Sequence, residues 1–200
     1  MKDIVIYGAG GQCYALIELI RSTNKYNPIK VLDIDLQRTS ILGVPVELES
    51  DKEDSTNIAA IAIGNNRIRK RMAGSLKKNT PAIIHHSAVV YPSVSIERGV
   101  LVHPNAVLDA DVTVGKFTII NNNATVSHNC KIGAYSHVAI NAAIAGGCEI
   151  GEGVLLGVGC IVLPNVKIGN WATIGAGAVI TKNVPDGVTV IGNPMRILRS

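Results

Sequence analysis

The sequence predicts a Rossmann-like α/β module followed by a left-handed parallel β-helix of hexapeptide repeats. Three observations carry this. From Val90 to Ile180 every sixth residue is aliphatic, sixteen in succession, and the residue two places before each, from Ala88 to Ala178, is small or β-branched. The first eighty residues lack that period and alternate strand-like with helix-like stretches. Between the two lies a boundary expected at residues 84 and 85, giving an N-terminal domain over 1–84 and a repeat domain with a C-terminal cap over 85–200.

In the first module, residues 3–8 read as a buried strand, 12–22 as a helix, 29–34 as a second strand ending at Asp33, and 58–63 as a third. A helix from Arg67 to Lys78 and a short strand near Ile83 complete it, so strands alternating with helices imply a parallel sheet. The turn Gly8-Ala9-Gly10-Gly11 leads from strand to helix, where backbone N–H groups and the helix dipole receive phosphate. It is not the full dinucleotide signature GxGxxG, because Cys13 stands where the last glycine belongs, which argues against a nicotinamide cofactor. Asp33 is placed to hold a ribose or a base, and the third strand ends in Gly64-Asn65-Asn66 at the carboxyl edge where such sheets bind ligands. Arg67, Arg69, Lys70, Arg71, Lys77 and Lys78 crowd the second helix. A solvated face is the favoured reading, with attraction of a phosphorylated ligand as the alternative.

In the second module each hexapeptide supplies one short strand and one turn, and three close a triangular coil whose sixth-position side chains share one interior. Roughly five coils must stack to bury their faces. This architecture winds left-handed, against the usual right-handed crossover preference, although the period alone does not set the hand. Gly115, Gly133, Gly151, Gly169 and Gly175, each behind a ladder residue, are expected at turns that need freedom a Cβ would restrict. Hydrophobic residues at 47% with aromatics at only 4% suit an interior of Val and Ile without rings. Cys130, Cys148 and Cys160 fall in the small buried slot and read as small hydrophobes; no CxxC pair suggests zinc.

No apolar run approaches the ~20 residues that cross a bilayer, and the start Met1-Lys2-Asp3 is not that of a signal peptide, so no membrane insertion and a cytoplasmic location are expected. The net charge of +4 is mild and no nucleic-acid module is visible. His103, His128 and His137 are the candidates for chemistry in the repeat. Their separations of 25 and 9 residues stack no pair in an 18-residue coil, which argues against a metal. Nine residues is half a coil, so His128 and His137 face different ways in one chain and meet only between neighbouring chains, as in a homotrimer with a site in each cleft. His103, His85 and His86 receive no role.

Taken together, Ile6-Tyr7-Gly8-Ala9-Gly10-Gly11, Leu32-Asp33, the tract Ala62 to Lys70, Val126 to Gly133, Ser136-His137-Val138, Val162 to Asn165 and Val190 to Pro194 resemble the nucleotide-sugar and sialic-acid acetyltransferases of the PglD/NeuD type over nearly the whole chain. The resemblance implies acetyl-CoA-dependent N-acetylation of a nucleotide-linked amino sugar, a UDP-4-amino-4,6-dideoxy sugar in the bacillosamine branch. It places His128 on the catalytic base, His137 on the histidine at the acetyl-CoA thioester, and Gly146 on the glycine whose N–H faces the thioester oxygen. Gly10, Gly11, Asp33, Gly64 and Asn65 fall in the regions that hold the nucleotide sugar, and Val158 and Ala176 beside coenzyme A. Two departures stand out. Asn129, next to the base, replaces an acid, so another group must poise the imidazole, and Met195 replaces an alanine of the tail. A sugar amine, mostly protonated at neutral pH, needs a base before it attacks a thioester, a task suited to histidine. O-acetylation of a sialic acid or another glycan, and a non-catalytic nucleotide-sugar scaffold, are the alternatives.

Overall fold

The computed structural model describes residues 1–49 and 56–198. The chain opens with β1 (Lys2–Tyr7), α1 (Gly11–Ser22), β2 (Tyr26–Asp33), β3 (Ser40–Ile41), β4 (Val44–Leu48), β5 (Ala59–Ile61) and α2 (Asn66–Ser75). The sheet order is β3-β4-β2-β1-β5, parallel except where β3 folds back on β4. Ile4, Val5 and Ile6 of β1 are fully buried because neighbours cover both faces of a central parallel strand. The sequence did not signal β3 and β4, a two-residue strand and one carrying Pro45. The strand expected near Ile83 exists as β6 (Ile83–Ile84), but it pairs with Leu101–Val102 and so forms the first rung of the repeat rather than part of the N-terminal sheet.

From β6 onward two-residue strands recur every six residues and stack into three parallel sheets, a parallel β-solenoid. The first residue of each strand points outward. One face carries Leu101, Ile119, His137 and Leu155, and we call it the seam face because Leu101 and Ile119 pack against the N-terminal module. The second, apolar face carries Val107, Thr125, Ala143, Ile161 and Val179. The third, charged face carries Thr113, Lys131, Glu149 and Lys167. The interior is the foreseen pair of ladders: sixth positions from Val102 to Ile180 are at most 3% exposed, and small slots from Val100 to Ala178 at most 4%. Polar residues in the small slot are satisfied in one repeating way, each donating to a carbonyl of the next coil: Thr118 to Gly133, Ser136 to Gly151, Cys130 to Ala145 and Cys148 to Leu163. The strand Thr189–Ile191 extends the seam face and Arg196–Leu198 turns back antiparallel on it as a cap.

The glycines behind the ladder residues serve a different purpose from the one expected. None has left-handed φ; a Cβ at Gly115 would lie 2.6 Å from the Ala134 nitrogen and one at Gly151 2.7 Å from that of Asn170, so these glycines let successive coils approach. The left-handed positions come two residues later, at Phe117 (φ 55°), Tyr135 (59°), Gly153 (66°) and Trp171 (58°). There the aromatic rings absent from the interior line one outer corner, with Phe117 and Tyr135 stacked at 5.8 Å.

Helix α2 docks on that corner. Arg67 lies 4.6 Å over Trp171, Lys70 lies 5.2 Å from the same ring, and Lys70 pairs with Glu152. Arg69, 1% exposed, donates through Nε to Phe117 O (2.8 Å), through Nη1 to Ile63 O and Gly64 O (both 2.9 Å), and through Nη2 to Asn66 Oδ1 (2.8 Å), Tyr135 O (2.8 Å) and Ser136 O (3.1 Å). The basic cluster is therefore no solvated face: its central members join the two modules. Burial lowers the Arg69 pKa to about 10, which still leaves it charged at neutral pH.

Below the joint two more titratable rings are enclosed. His103, 1% exposed, meets Gln12 Nε2 at 3.1 Å. His137 Nε2 meets Asn121 Nδ2 at 3.1 Å; Asn121 Oδ1 already takes the Asn122 N–H, so the amide nitrogen faces the ring. Burial, and then neighbouring positive charge (His85 for His103, Arg69 for His137), lowers each pKa from 6.5 to about 4.

Removing the joint is expected to be costly. Arg69→Met strands buried carbonyls at about 1–3 kcal/mol each, and should lower the midpoint of chemical unfolding far more than Lys70→Met, whose ion pair is exposed. Equal losses would contradict the assignment. Acid should also destabilise the fold. Between pH 6.5 and 4 the unfolded chain protonates rings that the folded chain keeps neutral, so stability falls as pH falls, by up to about 1.4 kcal/mol per unit per ring, and is fully retained above pH 6.5. Urea midpoints from pH 7 to 5 check this, and the slope should be shallower in His103→Asn.

Candidate functional site

A cavity of about 470 Å³ opens at the carboxyl edge of the N-terminal sheet, lined among others by Gly8, Gly10, Gly11, Asp33 and Gly64. Four of the five residues expected to meet the nucleotide sugar are thus brought together. Asn65, the fifth, caps α2 instead: its Oδ1 accepts the N–H groups of Arg67 (3.0 Å) and Ile68 (3.1 Å). Asp33 holds the turn through its side chain, accepting the N–H of Ala9 and that of Asp35 (3.2 Å). The open glycine turn keeps the N–H groups at the start of α1 facing a ligand, since no side chain caps that helix and a Cβ at Gly10 or Gly11 would meet nothing. Gln12, Ile34, Glu49, Ile68 and Met72 also line the cavity and were not singled out from the sequence. Only Gln12, next to the glycines, had a local signal.

His128 lies at the corner between the apolar and charged faces and is exposed. Its Nδ1 meets Asn129 Oδ1 at 2.9 Å, so the ring carries its proton on Nδ1 and presents Nε2 as a lone pair. Where the resemblance leads one to expect an acid after His128, an amide oxygen orients the imidazole without adding charge. One coil on, Gly146 passes under the ring: a Cβ there would fall 2.5 Å from Cε1 and 2.6 Å from Nε2. Among the described residues no backbone carbonyl takes the Gly146 N–H, whereas Gly147 donates to His128 O at 2.9 Å.

His128 and His137 do not meet in the monomer. In a three-sided coil the corner bearing His128 lies opposite the seam face that bears His137. Val158, 50% exposed, and Ala176 stack one above the other at the corner between the seam and apolar faces, below Ile140 in the same file. Cys130 is fully buried; the hydrogen bond it shares with Cys148, together with burial, pushes its thiol pKa up, so it is no nucleophile. Among the described residues no group of three or more His, Cys, Asp or Glu could hold a metal, and no helix is long and apolar enough to cross a membrane.

Comparison with known proteins agrees with both modules. Family profiles match residues 3–76 as a PglD N-terminal domain and 147–182 as six bacterial transferase hexapeptide repeats. A histidine variant of perosamine N-acetyltransferase from Caulobacter crescentus, solved in complex with CoA and GDP-perosamine, is 35% identical over 100% of this chain and 98% of that one, with a TM-score of 0.94. The acetyltransferase domain of PglB from Neisseria gonorrhoeae FA1090 is 33% identical over 99% and 100%, at 0.91. WeeI from Acinetobacter baumannii AYE is 31% identical over 99% and 100%, at 0.89. No curated protein sequence matches. With a third of its residues shared along the whole length of such structures, the chain belongs to the PglD/NeuD-type family of sugar acetyltransferases.

Proposed function

We propose that the protein transfers the acetyl group of acetyl-CoA to the amine of a nucleotide-linked amino sugar, within clefts between copies of a homotrimer. The observation that carries this reading is His128, whose Nδ1 meets Asn129 and whose ring packs against Gly146, a residue whose N–H no backbone carbonyl takes among the described residues. A base beside a backbone donor is what attack of an amine on a thioester requires. The ammonium first loses a proton to solvent; as the free amine bonds to the acetyl carbon His128 Nε2 takes the proton that nitrogen releases, the Gly146 N–H stabilises the oxyanion, and the imidazolium returns that proton to the departing thiolate of coenzyme A. Gly10, Gly11, Asp33 and Gly64 hold the nucleotide sugar, with Asn65 fixing the helix behind it. Complexes of the Caulobacter relative with CoA and GDP-perosamine, and of the Neisseria domain with acetyl coenzyme A, support both substrate classes.

Placement supports a site shared between copies. The sugar cavity adjoins the seam face and the base sits on the opposite corner, so acceptor and base come together only if another copy supplies one of them. His137, its pKa lowered and its ring held by Asn121, borders the acetyl end in this scheme as a neutral group. Val158, Ala176 and the apolar face, with Ile161 43% exposed, form the surface offered to coenzyme A and to the neighbouring copy. We place the reaction in the cytoplasm, the compartment of acetyl-CoA and nucleotide sugars.

A thiol-release assay with acetyl-CoA and 4-amino sugars linked to UDP, dTDP and GDP tests the activity; turnover only with hydroxyl acceptors, or none, would reject it. His128→Ala should keep the trimer and its affinity for CoA while losing at least about a hundredfold in kcat. If each cleft is shared, co-assembly of His128→Ala with His137→Ala subunits regains turnover that neither shows alone, and failure to do so argues for a site within one chain. Asn129→Asp places a carboxylate where an amide oxygen now lies 2.9 Å from Nδ1, which favours the protonated ring. The acid limb of the kcat/KM profile should move to higher pH, and an unmoved limb would remove Asn129 from the site.

A further inference from the structure

The sugar cavity carries an unusual charge for a site that takes a diphosphate. Among its described lining residues are two carboxylates, Asp33 and Glu49, and no lysine or arginine. The phosphates must therefore rely on the N–H groups of the glycine turn and the α1 dipole, and the carboxylates are left to face donors on the nucleoside. Each Asp33 oxygen already accepts one N–H, from Ala9 or from Asp35, and keeps a lone pair for the nucleotide sugar. Glu49 carries no such bond. Its backbone is pinned to the end of β2, with Glu49 N–H donating to Asp33 O at 2.8 Å, and its half-buried carboxylate has no hydrogen bond or ion pair with any described residue.

The walls at this end are apolar and unusually bare. Ile34 is 81% exposed and Ile68 50%, and with Leu32 and Met72 they make a slot suited to a flat ring. A ring in that slot presents its edge to the Glu49 rim. Guanine offers N1–H and the 2-amino group side by side, matching both oxygens of one carboxylate in a charge-assisted pair. Uracil and thymine offer one N3–H between two carbonyl oxygens that a carboxylate repels, and adenine and cytosine offer a lone amino group beside a ring acceptor.

Resting on the reading of this cavity as the nucleotide-sugar site, we propose that Glu49 is a specificity-determining residue that selects guanine, so that the acceptor is a GDP-linked rather than a UDP-linked amino sugar. The carboxylate accepts from N1–H and the 2-amino group while Ile34 and Ile68 cover the ring. This choice departs from the uridine nucleotide that the sequence resemblance implied.

Calorimetric titration of the full chain with GDP, UDP, dTDP and ADP tests it without any turnover. GDP should bind at least about tenfold tighter than the others, the worth of a hydrogen bond to a charged group. Glu49→Gln should cost GDP about tenfold while UDP changes less than twofold. A control melt checks the fold, which nothing at this unpartnered side chain should disturb. UDP binding as tightly as GDP overturns the proposal, as does an equal loss for every nucleotide, which would put Glu49 on the ribose. Binding of none overturns the cavity reading with it. GDP selectivity without acetyl transfer would uphold the role of Glu49 and reject the proposed reaction alone.

Discussion

One guanidinium holds the two modules in register. Arg69 reaches carbonyls at the end of β5, at Phe117 and at Tyr135–Ser136, and these belong to the N-terminal sheet and to two successive coils. Only a planar fork with donors on three nitrogens spans such acceptors at once; a lysine ammonium has three donors on a single point. The partners are carbonyl dipoles rather than a carboxylate, so the charge is solvated by backbone and remains as a fixed positive field. That field adds to burial in lowering the His137 pKa. The rim of the cavity at Gly64, the neutral state of His137 and the joint between the modules thus all depend on one buried side chain.

The solenoid acts as a rigid spacer. Its aliphatic ladders fix three faces at constant orientation, so a residue's function depends on which face or corner it occupies. The cavity at the carboxyl edge lies on the seam side, His128 on the far corner, and an apolar surface between them. In the proposed reading the two meet between copies, because rotation about a common axis brings unlike edges together.

Much of this was legible in the sequence, and what was not has a physical cause. The ladders announce themselves because a stacked coil repeats its environment every six residues, and Val102 to Ile180 obey without exception. The glycine turn and Asp33 were visible since strand-to-helix turns need particular residues. Arg69 was not, because its acceptors are backbone atoms distant in sequence that leave no side-chain signature, and in a run of basic residues it looked like any other. His103 and Gln12 are linked across 91 positions, for which no local pattern exists. The glycines behind the ladders were recognised as necessary but for another reason, because sequence shows where a Cβ is missing and not what it would have struck.

Position 129 belongs to a vertical file at one corner, with Asp111 (φ 57°), Asn129 (59°), Gly147 (73°) and Asn165 (63°) one above another. At 111, 129 and 165 the scaffold asks for tolerance of a left-handed twist, which Asp, Asn and Gly all show, whereas at Gly147 a Cβ would also meet Asn165 Oδ1. Whether the imidazole's neighbour is an anion, an amide or nothing is therefore invisible to the architecture. Descendants of this chain can retune their acid–base chemistry by single-codon drift along a corner whose stability does not register the change.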